Sequence, residues 1–337
     1  MSTNTPDTPG SSGAPLFDVE RTRSELPRFV DATGSPGPGT RAYLQHYGID
    51  FVSREFATGE SVGGQPTQHR VGWHEVDGER VAMHLIEPPD AVGTAFILHG
   101  YFDHVGLYGH LIRFCLDRGL TVVTLDLPGH GLSSGKAASI DSFDRYVRAY
   151  RAVRALAEPL VRAPWHLFGQ SMGGAVVMAH LLDAGYRADT SPYRNIVLFA
   201  PLVRPYMWTR LRYIYYGLGW VLPKWPREFT SNSSDSGFNV FLRDADPLQA
   251  KAVAVPWVRA MVAAMKRFDA HAATDLPVLL LQGDDDGTVD AAHNLRRINE
   301  KFQLDVQWLP GAKHHLVNES EAIRDAMFAH IDRRWRR

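Results

Sequence analysis

From Gln68 onward the chain alternates between two kinds of hydrophobic pattern. Residues 68–76 and 80–86 read as β-strands, and Asp77-Gly78 between them tolerates the positive φ of a tight hairpin turn. Beyond this hairpin, short apolar runs occur at 94–98, 121–125, 165–168, 196–199, 278–281 and 306–309. They alternate with stretches of helical length around 107–118, 140–161, 175–182, 291–301 and 319–334. A strand that is apolar on both faces suits a sheet covered by helices on either side. The alternation therefore predicts an α/β fold, a doubly wound and mostly parallel sheet preceded by a β-hairpin. Sheets of this kind hold their ligands beyond the carboxyl ends of the strands.

Two regions break the rhythm. Residues 1–38 are rich in Pro, Gly, Ser and Thr and read as a disordered leader, dispensable to the extent that residues 2–30 are expected to be removable without loss of activity. Residues 201–274 interrupt the alternation between two core segments, 39–200 and 275–337, and read as an inserted subdomain. Within it, Asp246-Pro247-Leu248-Gln249 reads as a helix start with Asp246 as N-cap, and a second helix is expected over 258–268.

The residues after the apolar runs carry the chemistry. Gly169-x-Ser171-x-Gly173 follows one run and opens an apolar helix. A serine in so tight a strand-to-helix turn needs neighbours without β-carbons, and the turn lifts its hydroxyl clear of the sheet. A serine hydroxyl is a weak nucleophile until a base accepts its proton and a third group orients that base. His314 and Asp286 follow late strands in the order Ser, Asp, His. His315 is a competing base, and Asp284, Asp285 and Asp290 are competing acids. The backbone N–H groups of Tyr101 and Met172 are the candidate oxyanion hole, with His99 shaping the loop that carries Tyr101.

Composition removes other classes. The net charge of −1 gives no electrostatic footprint for nucleic acid. A single cysteine, Cys115, in an apolar helical run excludes an internal disulfide and reads as an inert core thiol. An EF-hand register on Gly287 would put Gln282 and His293 at ligand positions, so the acidic cluster is not read as a calcium loop. Histidines 99, 104, 130, 314 and 315 lack ligand spacing, so no metal and no cofactor is expected. The first residues carry neither a basic nor a hydrophobic signal region, and no run is long enough to span a bilayer, which reads as a cytoplasmic protein.

Together, His99-Gly100-x-x-x-His104, Asp126-x-x-Gly129-x-Gly131-x-Ser133, Gly169-x-Ser171-Met172-Gly173-Gly174, Gln282-Gly283-x-x-Asp286 and Gly311-Ala312-x-His314-x-Leu316-x-Asn318-Glu319 resemble the monoacylglycerol lipase and lysophospholipase branch of the α/β hydrolases. The resemblance implies Ser171, Asp286 and His314 as the triad, favours His314 over His315, and implies a cap at 201–274. Residues 201–229 hold eight aromatics and five basic residues against one acid, a pattern suited to an acyl chain or a membrane surface, so peripheral membrane contact through the cap is expected. Phe102, Tyr206 and Trp208 are the expected substrate contacts. The expected reaction is hydrolysis of a single-chain lipid ester. Esterase, thioesterase and peptidase chemistry on another acyl substrate remain open alternatives. A non-catalytic binding protein would require a broken triad. Dehalogenases and epoxide hydrolases of this architecture place an aspartate where Ser171 stands.

Overall fold

The computed structural model describes residues 17–52, 67–210, 212–213, 224–227 and 229–335. The hairpin forms as read. β1 (Gln68–Val76) and β2 (Glu79–Glu87) pair antiparallel, and Asp77 and Gly78 turn the chain at φ 52° and 77°. β3 (Gly93–Leu98), β4 (Leu120–Leu125), β5 (Trp165–Gln170), β6 (Tyr193–Phe199), β9 (Pro277–Gly283) and β10 (Gln303–Leu309) then run parallel to one another. The eight strands lie in the order β1-β2-β4-β3-β5-β6-β9-β10. The order reverses between β3 and β5, the place where sheets of this kind put their ligand sites, beyond the carboxyl ends of the strands.

Alternate residues of each strand feed opposite cores. Phe96, Leu98, Leu167 and Leu280 pack beneath helices α4 (Phe143–Ala157) and α5 (Met172–Asp183). Ala95, Ile97, Phe168 and Leu281 face α3 (Gly109–Leu116) and the C-terminal helix Glu321–Trp335. Every residue of β3, β4 and β5 is buried, which is why those runs carry no polar face. β10 differs: it is the edge strand, and Val306 and Trp308 are exposed despite their apolar sequence. Cys115 is fully buried, and burial pushes its thiol well above the usual value.

The leader expectation needs correction for residues 17–38. These residues are folded, while 1–16 lie outside the described residues. Asp18 caps helix α1 (Val19–Glu25) by accepting from Arg21 N, and α2 begins at Pro38 (Pro38–His46). Phe17, Leu26 and Phe29 are buried. The open edge of β1 supplies what this Pro- and Gly-rich segment lacks by itself. Trp73 N donates to Pro27 O at 2.9 Å and Trp73 Nε1 to Leu26 O at 3.0 Å. A Cβ on Gly72 would stand 2.8 Å from Phe29 Cα, so the segment lies directly on the strand. Removing residues 2–30 would strip that cover from an exposed sheet edge.

Between β6 and β9 the described chain contains the helices Ser236–Asp244 and Val255–Ala270, and the short antiparallel pair β7 (Lys224–Pro226) and β8 (Ala252–Ala254). The second helix covers the one expected over 258–268. Asp246 does not start a helix. Its carboxylate accepts from Leu248 N at 2.9 Å, closing a turn two residues on, and the chain continues without helix to β8.

Candidate active site

β5 delivers Gly169-Gln170 to the sheet edge, and Ser171 then turns the chain into α5 at φ 52°, ψ −114°. A non-glycine residue held there is strained by about 1–3 kcal/mol, and it persists because its surroundings fix it. Ser171 N donates to Phe199 O at 2.9 Å, while Ser171 O accepts from Leu202 N at 3.0 Å and Ala175 N at 3.1 Å. The flanking glycines are required by close approach: a Cβ on Gly169 would stand 2.7 Å from Gly173 O, and one on Gly173 would stand 2.3 Å from Leu98 O.

The turn brings Ser171 to His314 and Asp286. His314 Nε2 lies 2.9 Å from Ser171 Oγ, and His314 Nδ1 lies 2.8 Å from Asp286 Oδ2. Burial alone would raise the Asp286 carboxyl. The adjacent His314 and the amides of Thr288 and Val289 outweigh that and hold its pKa below the usual carboxylate value. An ionised Asp286 can only accept, so Nδ1 of His314 donates to it, and the neutral ring offers Nε2 as acceptor for the serine proton. Of the competing acids, Asp284 accepts from Gly311 N, and Asp290 caps the Ala291–Asn299 helix by accepting from His293 N.

The loop after β3 passes close by, since a Cβ on Gly100 would lie 3.4 Å from Ser171 Cβ. His99 governs its first peptide. Its Nε2 accepts from Leu127 N at 2.9 Å, so Nδ1 carries the proton and donates to Gly100 O at 2.8 Å. Burial lowers its pKa to about 3, which keeps the ring in that neutral form. Gly100 O and Tyr101 N–H belong to one trans peptide and point in opposite directions. Fixing the carbonyl therefore fixes the aim of the Tyr101 amide. Among the described residues neither Tyr101 N nor Met172 N has a protein acceptor, and Met172 N opens the N-terminus of α5, where the helix dipole favours negative charge.

Among the described contacts the ring of His315, the rival base, does not meet Ser171. Its Nε2 lies 3.1 Å from Asp103 Oδ1, while Asp103 Oδ2 accepts from Gly100 N and from the Tyr108 hydroxyl. Phe102 is half-buried, its ring 4.0 Å from that of Tyr101 and under the Arg227 guanidinium at 4.0 Å. Tyr206 is exposed, its amide bonded to Thr288 O at 2.8 Å, and Trp208 packs against the core. Among the described contacts neither of those two rings meets Ser171 or His314. Tyr215, Tyr216 and Trp220, part of the aromatic stretch, lie outside the described residues.

Supporting residues went unread in the sequence. Gln170 Nε2 donates to His314 O at 2.9 Å, Gln282 Nε2 donates to Asp286 Oδ2 at 2.9 Å, and Asn232 O accepts from the amides of His314 and His315. Gln170 and Gln282 stand inside quoted motifs, but only the fold reveals what they touch. Asn232 lies within the insertion with no motif around it.

Residues 89–321 match the serine aminopeptidase (S33) family. The monoacylglycerol lipase of Mycolicibacterium smegmatis is 28% identical over 258 residues, covering 73% of this chain and 90% of that protein. The human monoglyceride lipase is 28% identical over 288 residues, covering 82% and 92%. Among solved structures, the monoacylglycerol lipase of Paleococcus ferrophilus superposes with a TM-score of 0.62 at 22% identity, over 75% of this chain and 97% of that one. The strand order, the strained serine turn and these matches agree: the chain belongs to the serine aminopeptidase S33 family of the α/β hydrolases, within which it resembles the monoacylglycerol lipases.

Proposed function

We propose that this hydrolase cleaves carboxylic esters of lipids bearing a single acyl chain, monoacylglycerol or lysophospholipid, through an acyl-enzyme on Ser171. The observation that carries the reading is the relay in which His314 stands 2.9 Å from Ser171 Oγ and 2.8 Å from Asp286 Oδ2. His314 takes the hydroxyl proton as Oγ bonds to the ester carbonyl carbon, and Asp286 stabilises the imidazolium that results. The carbonyl oxygen gains charge and is met by the amides of Tyr101 and Met172, each such donor being worth about 10²–10³ in rate. His314 returns the proton to the departing alcohol. It then activates a water that attacks the acyl carbon and releases the fatty acid.

The choice of a lipid ester rests on the relatives' activities and on the surface of the insertion. Exposed Tyr206, Met207, Tyr213 and Phe229 stand among exposed Arg210, Arg212 and Lys224, a mixture that suits contact with a lipid surface. Phe102, Tyr206 and Trp208 are the proposed substrate contacts. Aminopeptidase chemistry, which the family's description names, requires an acid free to receive a substrate ammonium. Asp103 beside the site is already engaged by His315, Gly100 N and Tyr108, which favours the ester reading.

Hydrolysis of 1-monooleoylglycerol, of lysophosphatidylcholine and of an amino-acid p-nitroanilide, each with a Ser171→Ala control, tests the proposal. Turnover of at least one lipid, abolished in the control, is expected. Turnover of the anilide alone would replace the lipid reading with the peptidase one.

A further inference from the structure

Residues 17–52 precede the family-matched region, which begins at 89, yet one of them reaches the machinery around Ser171. The point of contact is Asp246, whose side chain is fully buried in the turn after the Ser236–Asp244 helix. Its carboxylate collects four donors. The Tyr47 hydroxyl reaches Oδ1 at 2.6 Å and Leu248 N reaches the same oxygen at 2.9 Å. His104 Nε2 lies 3.0 Å from Oδ2, and Gln249 Nε2 donates to that oxygen at 2.8 Å.

Two of those donors hold the oxyanion loop. His104 ends it, and Gln249 Nε2 also donates to Phe102 O at 3.0 Å. Arg227 fixes which way the Gln249 amide faces, because Nη1 donates to Oε1 at 2.5 Å and leaves Nε2 for Phe102 and Asp246. The Tyr47 ring then closes the far side. A Cβ on Gly106 would stand 2.6 Å from Tyr47 Cγ, and the ring centre lies 4.8 Å from that of His104.

The loop has reason to be held. Phe102 sits at φ 69°, where a side chain is strained, so the turn persists only while both of its ends are fixed. His99 fixes the Gly100 end. Asp246 fixes the other, at Phe102 and His104, and the Tyr101 amide lies between them. A buried carboxylate that loses one donor must find a replacement, and the groups able to shift towards it are those that grip the loop.

We propose that Tyr47 and Asp246 are positioning residues for the oxyanion loop, so that the N-terminal segment sets the aim of the Tyr101 amide without touching substrate. This rests on the reading of Tyr101 as an oxyanion donor under the proposed function. A misaimed donor weakens binding of the transition state more than that of the ground state, so the loss falls on kcat rather than on KM.

The test is steady-state hydrolysis of p-nitrophenyl butyrate by the full chain, with kcat expressed per titrated serine. Tyr47→Phe, which removes only the hydroxyl, is expected to lower kcat about tenfold with KM within about twofold. Asp246→Asn is expected to lower it about a hundredfold, as displacement of a catalytic group by about an ångström does. Leu26→Ala is the structural control: it opens the packing of the same segment away from Asp246, and should lower Tm while leaving kcat within about twofold. Full kcat in Tyr47→Phe, or a kcat loss in Leu26→Ala matching that of Tyr47→Phe, overturns the proposal. A wild-type chain that does not turn over the ester, or a Ser171→Ala chain that does, removes the proposed function first and this inference with it.

Discussion

Ser171 occupies a backbone conformation that its side chain disfavours, and the residues around it account for its stability there. Phe199 O receives its amide, Leu202 N and Ala175 N hold its carbonyl, and glycines on both sides leave room for the neighbouring backbone. The closest fit is at Gly173, where an added Cβ would meet Leu98 O at 2.3 Å and His99 O at 2.6 Å. Leu98 ends β3 and His99 follows it, so relief would require moving the strand end and the Gly100–Phe102 loop that leaves it. Gly173→Ala is expected to cost about 3 kcal/mol or more, as overpacking against backbone does. Gly287 has nothing within 4 Å of its added Cβ, and Gly287→Ala should be near neutral in the same urea titration. Equal midpoints for the two variants would contradict this account of the turn.

Among the elements, those buried on both faces were the most legible. β3, β4 and β5 are wholly buried, so a bare apolar run identified them, and the motifs at their carboxyl ends were read in the right order. The hairpin was equally plain because Asp77-Gly78 has a local conformational meaning. β10 shows the limit of that signal: Val306 and Trp308 look like core, yet they stand exposed on the edge of the sheet. The segment from Phe17 to Phe29 fails in the opposite direction. Its few apolar residues fall below what composition can register, and its order comes from the edge of β1 and from Trp73, which no window on residues 1–38 contains. Asp246 is a third kind of miss. Its neighbours resemble a helix cap, whereas its carboxylate serves Tyr47 and His104, 199 and 142 residues away along the chain.

At the scale of the whole molecule, the fold buries histidines in a neutral state, and this sets how it responds to acid. Burial lowers His69, His99 and His180 to about 3, and His130 and His166 to about 4. The unfolded chain binds protons at these residues near the ordinary value of 6.5, so between that pH and about 3–4 it holds more protons than the folded one. Stability from these groups is complete above about pH 6.5 and falls as the pH drops, by about 1.4 kcal/mol per pH unit for each proton of difference. His104 has the opposite sign. Burial lowers it, but Asp246 outweighs burial and raises it, so its contribution is present at low pH and is lost as the pH rises through its folded value. Among the described histidines the lowered rings, which also include His46, His84, His110 and His293, outnumber the raised His104, and this sets the sign of the histidine contribution. Tm should hold between pH 7 and 8 and fall steeply below pH 6, and a Tm that stayed flat down to pH 4 would contradict the assignment of neutral buried rings.

Under the proposed function, the carboxyl edge of the sheet, the strained turn and the His314–Asp286 pair make Ser171 a nucleophile. Reaction of the native chain with a fluorophosphonate, followed by intact-mass measurement and peptide mapping, tests it most directly. One adduct per chain, mapped to Ser171 and absent from Ser171→Ala, is the predicted result. An unmodified chain, or an adduct on any other residue, would contradict it.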